Sequence, residues 1–291
     1  MRILVIGKEG QLAKCLRDTS TRFSHEVYFT SRNDLDITNS SLIEENILKY
    51  NPEIIINCSA FTAVDRAEKY EKEAFAINSE GVKGLAKICK KYSIYLVHIS
   101  TDYVFDGKGT DYFKESTFPN PSTAYGKSKL SGENAVIESD CEYIIIRTSW
   151  LFSEYGNNFL RTMLMLAQKN NSLRIVSDQF GCPTYAQDLA FAIFSAVPLS
   201  KTEKRTGLYH FGGSSSCSWD IFAEEIFKEA FKRKIIKQLP AIERVDSEDF
   251  VSLAERPRNS RLDSSLFYST FKVRPSDWRK GIKTTLERIE K

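Results

Sequence analysis

What this chain of 291 residues lacks narrows its reading first. It has only three histidines, His25, His98 and His210, dispersed with no metal-ligand spacing. Its six cysteines, at positions 15, 58, 89, 141, 182 and 217, form no C-x-x-C pair. Several sit in apolar runs such as Ile56-Asn-Cys58, where a thiol in a reducing compartment behaves as a small buried hydrophobe. No zinc site is therefore expected. Neither charge sign is in excess: 41 basic residues face 38 acidic ones, for a net charge of +3. That balance is too even to hold a polyanion without a clustered patch. The nearest candidate, Lys201-Thr-Glu-Lys-Arg205, mixes signs and reads as a solvated loop, so no nucleic-acid partner is expected. No apolar run approaches the roughly 18 residues of a membrane span. The apolar opening, Met1 to Ile6, meets Gly7-Lys8-Glu9 at once and is too short for a secretory signal. A cytoplasmic protein without a membrane partner is the expectation.

What is present alternates. Arg2–Ile6, Val27–Thr30, Ile54–Asn57, Ile94–Ser100 and Tyr143–Arg147 are rich in Ile and Val and lack the in–out alternation of a half-exposed strand. Strands buried on both faces have that character, which indicates a parallel sheet. Helical patterns lie between them at Gln11–Asp18, Ser40–Lys49, Glu71–Lys91 and Ala124–Ile137. The order predicts an α/β fold, a doubly wound parallel (Rossmann) sheet with a smaller, interleaved C-terminal substrate domain. Residues 1–151 and 184–213 are assigned to the dinucleotide-binding domain, and residues 152–183 and 214–291 to the substrate domain.

Gly7-Lys-Glu-Gly10-Gln-Leu-Ala13 follows the first strand and opens the first helix. Glycines there let the chain turn sharply and bring backbone N–H groups and a helix N-terminus to a pyrophosphate. As a bare pattern it is also an ordinary strand-to-helix turn; its place directly after a pure apolar strand favours the dinucleotide reading. The second strand ends Tyr28-Phe-Thr-Ser-Arg-Asn33, and Arg32 stands where a 2′-phosphate needs a cation. NADP(H) is therefore preferred, with NAD(H) possible.

Tyr125-Gly-Lys-Ser-Lys129 puts a phenol and an ammonium at i and i+4 on one helix face. A free tyrosine titrates at about 10. A cation beside it favours the phenolate and brings it toward working range for proton transfer. Chance supplies such a spacing about once in a chain this rich in tyrosine, and Tyr268-Ser-Thr-Phe-Lys272 is a second copy. Only Tyr125 follows an apolar strand that ends in hydroxyl residues, Ser100-Thr101, and strand carboxyl ends are where ligands of open parallel sheets bind.

With these residues in view, the chain resembles the extended short-chain dehydrogenases/reductases, and within them the branch that reduces sugar nucleotides. The segments that carry the resemblance begin with Gly7–Leu12, Asn57–Asp65, Ser100–Phe105 and Tyr125–Lys129. Arg147–Trp150, Gly156–Phe159, Asp178–Thr184 and Arg256–Leu262 complete the set. The resemblance implies reduction by NAD(P)H of the C4 keto group of dTDP-4-dehydro-L-rhamnose to dTDP-L-rhamnose, for envelope polysaccharide. It implies Thr101, Tyr125 and Lys129 as the catalytic triad. Gly7, Gly10, Gln11 and Leu12 would meet the pyrophosphate, and Asp36 and Ile37 the adenine region. Ala60, Thr62 and Asn78 would lie along the cofactor. Val104, Trp150, Asn158, Gln179 and Arg256 would surround the sugar nucleotide. Bland readings stand beside three of these: Trp150 as a core aromatic, Asn158 as a helix cap, Arg256 as the partner of a surface acid. Some members of the family hold magnesium between subunits through acids. The corresponding positions here are Cys15 and Gln187, so no metal is expected, and the chain is expected to be a monomer or homodimer. The rival from another class is a non-catalytic regulatory subunit of the methionine adenosyltransferase type. A related sugar-nucleotide reductase or 4-epimerase is the further alternative, and a sugar-nucleotide dehydratase is disfavoured because Tyr103 stands where that reaction needs an acid.

Overall fold

The computed structural model describes residues 1–203, 205–249 and 252–290. The first half follows the expected rhythm: β1 (Arg2–Ile6), α1 (Gln11–Ser20), β2 (Glu26–Thr30), α2 (Ser40–Tyr50) and β3 (Ile54–Asn57). Next come α3 (Val64–Lys69), α4 (Glu71–Phe75), α5 (Val82–Lys91), β4 (Tyr95–Thr101), α6 (Ala124–Ile137) and β5 (Tyr143–Thr148). With the strand Gly207–His210 at one edge, the sheet runs in the order Gly207–His210, β5, β4, β3, β1, β2. All five pairings are parallel. Ile54, Ile55 and Ile56 of β3 are completely buried, because helices cover both faces. The isoleucine- and valine-rich strands thus form an α/β doubly wound sheet, as expected.

Each face has its own core. On one side α1 and the helix Ala186–Thr202 pack Leu16, Leu189 and Ile193 against Ile3, Val5 and Ile56. On the other, α2 and α5 pack Ile43, Ile47 and Leu85 against Leu4, Ile6 and Ile55. A third core lies apart from the sheet, where the helices Phe159–Ala167, Trp219–Lys232 and Trp278–Ile289 meet the strand Ser172–Val176. That strand pairs in parallel with Ala241–Val245. The sequence pattern places the whole C-terminal 60 residues outside the sheet domain, yet Phe267 and Phe271 of the helix Ser265–Phe271 join the core beneath the sheet. Lys201 and Thr202 finish a helix rather than lying in the expected loop, and Lys204 of the same charged run falls outside the described residues.

The single helix expected over 71–91 is interrupted. Between α4 and α5 the residues Ala76–Gly81 make a turn of π-helix. The physical reason is Asn78, fully buried within that turn. Its Oδ1 accepts from Phe61 N at 2.8 Å, and its Nδ2 donates to Phe61 O at 3.0 Å and Ser128 Oγ at 3.0 Å. One side chain thereby ties the loop after β3 to α6, which a regular helix would not aim correctly.

Across α6 and β5 lies a buried ion pair. Glu133 and Arg147 are at most 2% exposed and bonded twice, Nε to Oε1 at 2.9 Å and Nη2 to Oε2 at 2.6 Å. Arg147 also sits over the Phe105 ring, 5.0 Å from its centroid. Removing one partner strands a charge in a dry site. Glu133→Ala should therefore cost about 3–5 kcal/mol of stability, read as a lowered urea midpoint. A midpoint within experimental error of the parent would show that the pair carries no such weight.

Candidate active site

In a doubly wound sheet the crevice forms where neighbouring strands lead off in opposite directions, here between β1 and β3. Gly7 ends β1 at φ +93°, a left-handed conformation that favours glycine. A Cβ there would lie 3.1 Å from Ser59 N, so the turn is pressed against the chain leaving β3. Gly10 caps α1 with no side-chain hydrogen bond, whereas Asn39 and Thr123 cap α2 and α6 with theirs. The first N–H groups of α1 are thus left without a capping side chain, at the positive end of the helix dipole. The side chains of Leu12 and Ile37 are buried in the two sheet cores, so any ligand contact from these residues comes from their backbone. Ala60 is half-buried and Thr62 exposed on the loop after β3. Arg32 is exposed and pairs with Asp36 at 3.1 Å at the end of β2. Asn78, expected along the cofactor, is buried in the π turn with its amide bonded to Phe61 N, Phe61 O and Ser128 Oγ.

One strand further on, β4 delivers Thr101 and α6 delivers Tyr125 and Lys129. Helix α6 comes close because Gly126 faces the Tyr103 carbonyl, where an added Cβ would overlap. Thr123 caps the helix by accepting from Gly126 N. Tyr125 and Lys129 are both buried. Burial pushes the Tyr125 phenol well above its usual 10, with a hydrogen bond to Thr101 pulling the other way and Asp102 and Tyr103 adding to the rise. The expected lowering by Lys129 is absent from these influences. The reason is geometric: Lys129 Nζ donates to Ile99 O at 2.7 Å and lies 3.3 Å from His98 Nε2. Burial pushes this ammonium down to about 8, with Glu133 and Cys58 opposing. Thr101 Oγ1 donates to Asp102 Oδ1 at 3.0 Å and accepts from Tyr103 N at 3.2 Å. Asp102 is pushed up to about 6, by burial first, and among the described residues its Oδ2 has no hydrogen-bond partner.

Beyond Tyr103 opens a cleft of about 1310 Å³, lined among others by Asp65, Tyr103, Trp150, Gln179, Trp219 and Arg256. Tyr103 packs edge-on against Tyr125, ring centroids 5.5 Å apart, and so connects the cleft to the phenol. Arg256 donates to Tyr103 Oη at 3.1 Å and pairs with Asp65. Gln179 accepts from Trp219 Nε1 at 3.1 Å and donates to Ser247 at 3.0 Å. Trp150 and Trp219 stack with centroids 3.3 Å apart and an angle of 6°. Trp150 sits at φ +48°, an uncommon and strained conformation for a bulky side chain that the surrounding fold must hold. Two more of the expected residues have protein partners of their own. Val104 is fully buried against Phe105 and Leu262. Asn158 caps the helix Phe159–Ala167, its Oδ1 accepting from Arg161 N and its Nδ2 donating to Gln11 Oε1 at 2.7 Å.

Sequence reasoning missed Asp65, Tyr103 and Trp219 as members of the cleft. Asp65 and Tyr103 stand inside the quoted segments, where their polar side chains were the available signal. Trp219 opens an amphipathic helix and carries no separate mark.

The residues at the family's metal positions do not fit a metal. Cys15 is buried, its thiol pushed far up by burial. Gln187 Oε1 accepts from Arg288 Nη1 at 3.2 Å, and the same guanidinium pairs with Asp18 at 3.0 Å and with Glu154. A cation already holds the acids. Among the described residues no group of three or more His, Cys, Asp or Glu side chains is placed to hold a metal ion, and no helix is long and apolar enough to cross a membrane.

Comparison with known proteins adds its own findings. The family model described as the RmlD substrate binding domain matches residues 1–291. The chain is 39% identical over 289 residues to dTDP-4-dehydrorhamnose reductase of Aggregatibacter actinomycetemcomitans, covering 97% of each. It is 35% identical to the Escherichia coli K12 protein of the same name, covering 99% of this chain and 98% of that one. In structure it is similar to the Bacillus anthracis dTDP-4-dehydrorhamnose reductase in complex with NADP, at TM-score 0.91 and 34% identity over 99% of each chain.

The indole stack carries a prediction. A Cβ on Gly181 would overlap the Trp150 ring. Gly181→Ala should therefore push the two indoles apart and change the near-ultraviolet circular dichroism of the folded protein. An unchanged spectrum would mean that the stack tolerates the methyl group.

Proposed function

The chain belongs to the RmlD substrate-binding-domain family, which spans its whole length, and from that premise we propose that it reduces the C4 keto group of dTDP-4-dehydro-L-rhamnose to give dTDP-L-rhamnose. NADPH is the preferred reductant, with NADH possible. The observation that carries the reading is one of position: Thr101 ends β4 on the same sheet edge as the glycine turn after β1, and Tyr125 packs against Tyr103, which lines the cleft of about 1310 Å³. The regulatory-subunit alternative is not favoured, since the curated relatives above are named as reductases.

Residues 1–151 and 184–213 would hold the dinucleotide, with the pyrophosphate against Gly7, Gly10 and the N-terminus of α1. Bound there, the nicotinamide supplies the hydride that C4 receives. Residues 152–183 and 214–291 would hold the sugar nucleotide, although the helix Ser265–Phe271 packs beneath the sheet. Three guanidinium groups, Arg174, Arg256 and Arg258, line the cleft and suit a diphosphate, which they can bond in a forked geometry. Arg256 must exchange Asp65 for that ligand. Tyr125 donates its proton to the carbonyl oxygen, and its raised proton affinity keeps it protonated, and so able to donate, at neutral pH. Thr101 joins the same oxygen once its hydroxyl turns from Asp102. The reaction consumes one proton, restored to Tyr125 from solvent. Its setting is the cytoplasm, its partner a small molecule, its state a monomer or homodimer.

Tyr125→Phe should lower kcat by about 10²–10⁴-fold while cofactor binding persists. The check is NADPH oxidation with dTDP-4-dehydrorhamnose generated in situ. Turnover at the parent rate would remove the proton-donor assignment. Arg32→Ala should weaken NADPH binding and leave NADH binding nearly unchanged; equal loss of both would remove the reason for preferring NADPH.

A further inference from the structure

Every arginine that lines the cleft is already paired with a carboxylate: Arg174 with Glu243, Arg258 with Glu248, and Arg256 with Asp65. The last pair is the one built to persist. Arg256 is 30% exposed, against 56% for Arg174 and 59% for Arg258, so its attraction to an acid is the least screened by water. Each partner also has a second hold. Arg256 Nη1 donates to Tyr103 Oη at 3.1 Å, which leaves the Nη2 edge for Asp65 Oδ2. Asp65 Oδ1 meanwhile accepts from Ala254 N at 3.0 Å.

Both backbones are pinned. Asp65 lies on α3, where Ala67 is fully buried and Glu68 Oε1 accepts from Ala124 N of α6 at 2.9 Å. Across the contact, Pro257 is pressed against Gly107, where an added Cβ would overlap it. Phe180 N donates to Arg258 O and Asn259 N donates to Gly107 O, both at 2.9 Å. The pair is therefore made or broken by side chains turning between fixed supports, with no hinge in the chain.

We propose that Asp65 is a specificity-determining residue, an internal counter-ion that any anion must displace before it can use the Nη2 edge of Arg256. The proposal rests on the reading of the cleft as a sugar-nucleotide site, and deepens it. A tethered carboxylate weakens every such anion by the same factor, because each must first break the same pair. That factor decides occupancy only for weak ligands. A small anion, held by little besides the guanidinium, loses what affinity it has. A sugar nucleotide is long enough to reach Trp150, Gln179 and Arg174 along the same cleft, and it survives the loss. Tyr103 keeps hold of the guanidinium throughout, so the freed edge is presented in a fixed direction. The displaced carboxylate is not stranded, since Asp65 is nearly half exposed and retains Ala254 N.

The test is calorimetric titration of dTDP and of inorganic pyrophosphate into the parent protein and into Asp65→Asn. NADP⁺ is present throughout, to fill the glycine turn. The amide of the variant keeps an oxygen for Ala254 N and gives up the charge. Both ligands should bind the variant more tightly, by a similar factor of about two to five, the worth of a partly exposed ion pair. In the Arg256→Ala background most of that gain should vanish, because no pair remains to be broken. Asp65→Ser should show the same gain, and it stands in should the first variant fail to fold. A pair that only props the loop would lose affinity when broken, so equal or weaker binding by a folded variant overturns the proposal. A gain that persists in full without Arg256 also overturns it, since the carboxylate would then act by plain repulsion. If pyrophosphate shows the expected gain while dTDP binds neither protein, the counter-ion role stands and the sugar-nucleotide reading alone is lost.

Discussion

Parallel pairing makes every strand of the central sheet point the same way, so all its carboxyl ends lie on one edge. The rest of the molecule depends on that constraint. It brings Gly7 after β1, Ser59 after β3 and Thr101 at the end of β4 to one rim, although they are distant in sequence. Helix α6 then has one place to deliver a side chain to that rim, and two glycines let it come close enough. At Gly126 and Gly132 an added Cβ would overlap the carbonyls of Tyr103 and Asn78. Asn78 closes the arrangement by tying the loop after β3 to the same helix.

Burial sets the chemistry of what is gathered there. In a dry site each ionisable group is pushed toward its neutral form, phenol and carboxyl upward, amine and imidazole downward. Tyr125, Asp102, Lys129 and His98 all shift in that sense. A charged pair persists only where it is bonded on both sides, as between Glu133 and Arg147. These four groups thus sit in a low-charge pocket, while Arg174, Arg256 and Arg258 remain at the more open cleft.

Much of the sheet half was legible because its signals are local. Uninterrupted Ile and Val runs announce buried strands, and α6 runs over Ala124–Ile137 as its pattern predicts. The single helix over 71–91 was not legible as broken, because the π turn at Asn78 answers to a loop and a helix elsewhere in the chain. In the C-terminal part the two-residue strands Phe180–Gly181, Cys217–Ser218 and Asn259–Ser260 are too short to leave a period. They exist because each finds partners across the chain.

The sequence by itself determined the class of fold, the glycine turn and the Tyr125–Lys129 spacing, since backbone conformation and helical period depend on near neighbours. Only the tertiary structure decided what those residues touch. The i, i+4 spacing places phenol and ammonium on one face, yet packing against β4 turns Lys129 toward His98 and Ile99. It also gave Arg256 to Asp65, stacked Trp150 on Trp219, and made Asn158 a helix cap. Such partners come from elements far apart in the chain. A side chain's charge and hydrogen-bonding role are set by whatever packing brings within reach, and no local pattern encodes that.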